Sequence, residues 1–296
     1  MDLPYNTQPR FTWWVVEHAL LQTKFVLVDV GVQGGIHPRW KALGNFVQVY
    51  GFDPLTEAIE PLTRSTEPNH EYFSTALGDY DGERELFVPS VLPAASFFPR
   101  DAEQDQARMT IDAGNWAATK TRRVPVRRLD TLSQHWPHNI DFLKLDCEGF
   151  EPAVLAGAKN STAQALAIET EMGFSSIHWP QTHFSAVYDQ LVPYGFRLSN
   201  LAFNRVSFSS YLQRATLLGR DQAAEASVSI PGTFAVLFSR SLMLSKQTPT
   251  SDQVLKSAII FELYGMLDAA YDVLEVFKAV LPPGILESAD LLIPGN

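Results

Sequence analysis

The sequence predicts an α/β fold built on a mostly parallel sheet. Three observations carry this. Short runs of strand formers alternate with segments of helical spacing along the chain. The runs Phe25–Val30 and Ile140–Leu145 are apolar almost throughout, as strands covered on both faces are. Three strands end in glycine or acidic clusters, at the edge where open parallel sheets place their ligands.

The elements follow in order. Residues 11–21 carry apolar side chains too densely for an exposed helix and are expected to lie on the main core. Phe25–Val30 is the first strand, stopped by Gly31-Val-Gln-Gly-Gly35, and Pro38 suits the first turn of a helix. Phe46–Phe52 is the second strand, followed by a helix over Thr56–Thr63. His70–Ala76 reads as a third strand, Gly78–Gly82 as a turn, and Arg84–Pro89 as a returning strand. Residues 89–121 have no clean period and read as a long loop with one helical piece. Strands are expected again from Val124 and over Ile140–Leu145, then a helix over Glu151–Ala158 and a strand over Ala165–Thr170. A helix over Phe184–Val192 precedes strands at Phe196–Leu201 and Phe234–Phe238. Ser251–Val280 has helical spacing in two pieces, broken near Gly265.

Composition narrows the function classes. The chain has 296 residues, 46% hydrophobic and 19% charged, which excludes a disordered chain or a coiled coil. With 23 basic and 33 acidic residues its formal charge is −10, so a nucleic-acid partner is not expected. Its single cysteine, Cys147, allows no internal disulfide. No secretory signal and no membrane span is read, and a cytoplasmic location is the expectation.

Two clusters carry the chemistry. In the first, Asp29-Val-Gly31-Val-Gln33-Gly34-Gly35 joins a strand end to a turn where the backbone can approach a ligand. A tight strand-to-helix turn alone would also explain it. The spacing fails the dinucleotide fingerprint, because Gln33 and Ile36 stand where glycines are needed. Asp53 ends the second strand, where a carboxylate can accept both hydroxyls of a ribose or cap the next helix. In the second cluster, Lys144-Leu-Asp146-Cys-Glu148-Gly149-Phe-Glu151, alternate side chains share a face, so Lys144, Asp146 and Glu148 point toward one mouth of the sheet. Glu169 and Glu171 end the next strand and add acid to that rim. Clustered carboxylates bring shifted pKa values, and a divalent cation held by oxygens is an option, though no metal site is predicted.

These pieces in this order resemble the FkbM family of S-adenosylmethionine-dependent methyltransferases. The matching residues are Asp29-Val-Gly31…Gly35, Phe52-Asp53-Pro54, Ala76-Leu77-Gly78-Asp79, Leu129–Leu132 and, most specifically, Ile140–Glu151 with its Lys-x-Asp-x-Glu-Gly block. Val154–Ala158, Ile168-Glu169 and Tyr194–Leu198 continue the match, which spans about residues 25–240. The chain has Val32-Gln33 where the family has Ala-Asn, and Asp53 where it has Glu. Gln33 keeps an amide and Asp53 keeps the charge with a shorter reach.

The resemblance implies a Rossmann-like class I methyltransferase sandwich with a seven-stranded sheet, the last strand antiparallel. It implies an N-terminal helical segment (1–24), a methyltransferase domain (25–240) and a C-terminal helical extension (241–296) serving packing or a homo-oligomer surface. It further implies that Asp29, Gly31, Gln33 and Gly35 shape the pocket for the amino-acid end of S-adenosyl-L-methionine. Asp53 takes the ribose hydroxyls, Leu77 and Asp79 lie around the adenine, and Asp146 stands where methyl donor and acceptor meet.

Methyl transfer to a hydroxyl needs alignment, exclusion of water and a proton acceptor. The catalytic candidates are Lys144, Asp146, Glu148 and His178, with Glu169 and His37 as further bases. Phe97, Phe98 and Trp116 in the 89–121 segment are candidates for an acceptor pocket. The expected acceptor is a small molecule or glycan. Two other readings stay open: a metal-dependent glycosyltransferase using Asp146 and Glu148, and an inactive interaction module that keeps the fold.

Overall fold

The computed structural model describes residues 3–65, 67–99, 118–173, 184–206, 217–219, 230–245 and 247–293. In chain order these form α1 (Arg10–Glu17), β1 (Phe25–Val30), β2 (Val47–Asp53), α2 (Thr56–Thr63), β3 (His70–Ser74), β4 (Ala76–Leu77), β5 (Gly82–Pro89) and β6 (Ala118–Arg127). Then come α3 (Leu129–Leu132), β7 (Phe142–Leu145), α4 (Glu151–Ala156), α5 (Lys159–Gln164), β8 (Ala167–Gly173), α6 (Phe184–Leu191), β9 (Phe196–Val206) and β10 (Ile230–Arg240). The helices α7 (Ser251–Leu263), α8 (Leu267–Val276) and α9 (Ile285–Ala289) follow. Pro38–Phe46 forms a 3-10 stretch rather than an α-helix, with a break at Gly44.

The main sheet has seven strands in the order β3-β2-β1-β7-β8-β10-β9. β10 runs antiparallel to both neighbours and the β3-to-β8 block is parallel, as the sequence predicts. Adjacency of β1 and β7 reverses the winding of the sheet, so their carboxyl ends open a crevice. A second sheet, β4-β6-β5, lies against the first. The expected strand over His70–Ala76 is therefore two strands. Thr75 N–H turns back to the Phe73 carbonyl (2.9 Å), and Ala76 and Leu77 pair with β6 instead. No glycine or proline stands in His70–Leu77, so no local breaker marks the change of partner.

Alternation along β1 sorts the two faces. Val26, Val28 and Val30 enter a core with Leu143, Leu145 and Ile168, closed by the second sheet and by α4 and α6. Phe25 and Leu27 enter the other core with Phe142 and Ala167, closed by α1, the 3-10 stretch and the C-terminal helices. The tail is thus a full layer of the sandwich. Most of α7 is buried, so this helix serves packing within the chain.

An all-buried helix must answer for its polar groups. Lys256 donates to the Asp141 carboxylate (2.9 Å), the Lys24 carbonyl (2.9 Å) and the Thr23 hydroxyl (2.8 Å), and pairs with Asp252 at 3.2 Å. Glu262 accepts the N–H groups of Phe11 (2.9 Å) and Thr12 (2.7 Å) and the Thr12 hydroxyl (2.6 Å), closing the first turn of α1 from outside. The N-terminal helix and the C-terminal helices are one packed unit, not separate appendages. Among the described residues no helix is long and apolar enough to cross a membrane.

Candidate active site

The carboxyl ends of β1, β2, β7 and β8 open into one cavity of about 620 Å³. That is within the ~300–1,000 Å³ range of small-molecule sites. Its two sides differ because strand alternation delivers different residues to each. Phe52, Leu77, Leu86, Phe97 and Phe150 come from the face with the second sheet and line an apolar side. Asp29, Lys144, Glu169 and Glu171 come from the opposite face and line a charged side.

The charged side is a row fixed by register. Asp29 on β1 pairs with Lys144 on β7, which pairs with Glu169 on β8. Lys144 Nζ lies 3.3 Å from Asp29 Oδ1 and 3.2 Å from Asp146 Oδ2. Burial works against its charge, but Asp29, Asp146 and Glu169 together outweigh this and raise its pKa. Lys144 is therefore a fixed ammonium and not a proton acceptor. Burial raises the Asp29 pKa, while Lys144 draws it back.

The first turn is shaped by close backbone approach. Gly31 N–H donates to the Phe52 carbonyl (2.8 Å), tying β1 to β2, and Asp146 N–H donates to the Val30 carbonyl (3.0 Å), tying β1 to β7. Gly34 has φ +77° with nothing within 4 Å of where a Cβ would stand, so its backbone faces the cavity unshielded. Asp53 is 3% exposed. Its Oδ1 accepts the Leu55 N–H at 2.7 Å. Burial raises its pKa above the usual carboxylate value, and the bond from Leu55 draws it part of the way back. The helix-start reading of Asp53 is thus observed, and the residue also lines the cavity.

The second turn is held from below. Glu151 accepts the N–H groups of Cys147 (3.0 Å) and Gly149 (3.3 Å), and burial pushes its pKa up to about 7. The Ser96 hydroxyl donates to the Glu148 carbonyl at 2.7 Å. Between these anchors Glu148 has φ +53°, a left-handed conformation that non-glycine residues rarely adopt and that clusters at functional sites. Burial, with Glu151 adding, raises the Cys147 thiol pKa well above its usual range, so this cavity-lining thiol is not a nucleophile at neutral pH.

The cavity brings together Asp29, Gly31, Gln33, Gly35, Asp53, Leu77, Lys144, Asp146 and Glu148, all predicted from sequence. Asp79 is not with them; it is exposed and outside the lining, because the chain turns to solvent after Leu77. His37 lines the cavity, but its Nδ1 accepts from both Arg39 N (3.1 Å) and Nε (3.0 Å). In the neutral ring the proton is then on Nε2, which makes His37 a donor and not a base. His178 and Trp116 lie outside the described residues. Among the described residues no group of three or more His, Cys, Asp or Glu side chains is arranged to hold a metal ion.

Two side chains near the charged side were not singled out from sequence. Tyr264, at the end of α7, donates its hydroxyl to Glu169 Oε2. Arg39 stands behind it, with NH1 3.9 Å from the same oxygen. No local signal marks either residue. The only hint was the all-round apolar character of Val254–Leu263, which announces a helix buried in the core.

The sequence profile of the methyltransferase FkbM domain matches residues 38–198, more than half of the chain. No curated protein matches. Among solved structures, the magnesium protoporphyrin IX methyltransferase of Synechocystis with bound SAM aligns over 78% of this chain and 76% of its own, at 11% identity and TM-score 0.33. A TehB-like SAM-dependent methyltransferase from Corynebacterium glutamicum aligns over 78% and 89%, at 10% identity and TM-score 0.32. A SAM-dependent methyltransferase from Aquifex aeolicus aligns over 79% and 93%, at 12% identity and TM-score 0.32.

Proposed function

The chain belongs to the FkbM methyltransferase family and is a methyltransferase, and we propose that it moves a methyl group from S-adenosylmethionine to a hydroxyl on a carbohydrate or natural-product acceptor. One observation carries this reading. Asp53 and Asp146, far apart in sequence, line a single cavity with the Gly31–Gly35 turn.

The residues present fit the nucleoside. Asp53, at the end of β2, has a carboxylate for two vicinal hydroxyls. The unshielded backbone at Gly34, with Gly31, Gly35 and Asp29, suits a zwitterionic amino-acid end. Leu77 and its apolar neighbours suit a flat base. When bound, the cofactor supplies a methyl group activated by a sulfonium.

The chain's own residues supply the rest. The Lys144 ammonium fixes the Asp29 and Asp146 carboxylates, so both hold one orientation beside the reacting centre. Asp146, Glu148 and Glu169 are the carboxylates within the cavity able to take a proton from the acceptor hydroxyl. The Phe97 and Phe150 rings line the apolar side and help exclude water.

Titration calorimetry with S-adenosylhomocysteine tests the cofactor. Binding at micromolar levels is expected. Binding of a uridine diphosphate sugar with manganese, and none of S-adenosylhomocysteine, would favour the glycosyltransferase reading instead. Tritiated methyl transfer into fractionated cell extract then tests the acceptor class. Label in the glycan or small-molecule fraction supports it, and label confined to protein or nucleic acid overturns it.

A further inference from the structure

Glu169 differs from the other cavity carboxylates in being gripped from outside the matched domain. It is 9% exposed and lies between two cations. On one side is Lys144, its register partner on β7, with Asp29 beyond. On the other is Arg39, whose side chain is fully buried. Arg39 is pinned by Nε on His37 Nδ1 (3.0 Å) and NH2 on the Leu3 carbonyl (3.2 Å), and its guanidinium carbon sits 4.1 Å from the centre of the Tyr264 ring. Tyr264 is itself buried, 1% exposed, and spends its hydroxyl on Glu169 Oε2. That leaves Oε1 as the oxygen without a hydrogen-bond donor among the described residues, on a side chain that lines the cavity.

Resting on the reading of this cavity as a methyl-transfer site, we propose that Glu169 accepts the proton of the acceptor hydroxyl through Oε1. Tyr264, carried by the C-terminal helices beyond residue 198, is its positioning residue. The acceptor O–H bond breaks, its proton goes to Glu169 Oε1, and the electron pair left on oxygen forms the bond to the incoming methyl carbon. The pair of the old carbon–sulfur bond stays on sulfur, and Glu169 later returns its proton to solvent.

The surroundings suit a carboxylate that is fixed through one oxygen on a side chain that lines the cavity. Burial pushes the Tyr264 phenol well above its usual range, with the charge of Glu169 adding, so Tyr264 remains a donor. The charged and titratable groups facing Glu169 are Lys144 and Asp29 from β7 and β1, Arg39 from the 3-10 stretch, Tyr264 from the end of α7, and Glu171 two residues on along its own strand. A core packing role alone would not require the phenol oxygen to meet a cavity carboxylate.

The test pairs Tyr264→Phe with Glu169→Gln. Tyr264→Phe keeps the ring under Arg39 and removes the hydroxyl donor to Glu169 Oε2. In Tyr264→Phe the rate of methyl transfer to extract acceptors at saturating cofactor should fall by ~10-fold while S-adenosylhomocysteine affinity stays within about twofold of wild type, a split that a merely structural loss would not give. Glu169→Gln should lose ~100-fold or more of that transfer while S-adenosylhomocysteine affinity stays within about twofold. Wild-type transfer in Glu169→Gln overturns the proposal, and wild-type transfer in Tyr264→Phe overturns the role it gives to Tyr264. A wild-type chain that binds no S-adenosylhomocysteine overturns the cofactor reading itself.

Discussion

Gly31 and Asp146 meet backbone to backbone: a Cβ on Gly31 would lie 1.9 Å from the Asp146 carbonyl oxygen. The two turns that shape the cavity therefore share one contact, and glycine is required there twice over, since its φ is +83°. Gly31→Ala should push β1 and β7 apart at their carboxyl ends. Overpacking against backbone plus a disfavoured φ is expected to cost roughly 2–4 kcal/mol, and ligand affinity should fall with it. Urea unfolding and calorimetry on the same preparation check this; wild-type values in both would mean that the turns separate freely.

Asp53 has two tasks that substitutions can separate. Asp53→Ala removes the acceptor for the Leu55 N–H and the carboxylate for a ribose. It should weaken S-adenosylhomocysteine by ~10-fold or more and lower stability by about 1 kcal/mol. Asp53→Asn keeps an acceptor for Leu55 and should recover stability but not affinity. Equal affinities in Asp53→Asn and wild type would take the charge out of cofactor binding.

Glu151 links the second turn to pH. Its pKa in the folded chain is about 7, against 4.5 as its ordinary value. Below 4.5 the carboxyl is protonated in both folded and unfolded chains. Between 4.5 and about 7 only the unfolded chain has released the proton, so stability falls as pH rises through this window. Above about 7 no further change arises from this group. Glu151→Gln keeps an acceptor for the Cys147 and Gly149 N–H groups but cannot ionise. Relative to this variant, wild type should lose on the order of 3 kcal/mol between pH 4 and pH 8. Parallel urea melts across that range would expose a flat difference if the carboxyl does not titrate this way.

Glu262 joins the first helix to the tail. Glu262→Ala leaves the Phe11 and Thr12 N–H groups and the Thr12 hydroxyl without their acceptor in a buried place. A loss of roughly 3–5 kcal/mol is expected, with amide exchange over residues 10–17 rising first. Unchanged protection of α1 would show that packing alone seats the helix.

Much of the scaffold is legible from local pattern, for a physical reason. A strand buried on both faces must be apolar, so Phe25–Val30 declares itself, and its bounds agree with the structure. Thr56–Thr63 and the break near Gly265 are equally visible, because helical spacing and glycine act within a few residues. The cavity residues from Asp29 to Glu148 were legible because the carboxyl ends of parallel strands converge whatever the sequence between them. Asp79, expected beside Leu77, is exposed and outside the cavity lining, because the backbone turns outward beyond Gly78.

The sequence by itself determined an α/β scaffold, its strand ends and the carboxylates at them, since each of these is written in spacing over a few residues; the methyltransferase expectation came from the family resemblance of its motifs. The tertiary structure alone decided that Lys144 is held rather than free and that His37 Nδ1 is occupied in accepting from Arg39. It also decided that a tyrosine 95 residues from Glu169 grips that carboxylate. Those outcomes depend on which helix covers which face of the sheet, and that is settled by the packing of whole apolar surfaces, which no local period records.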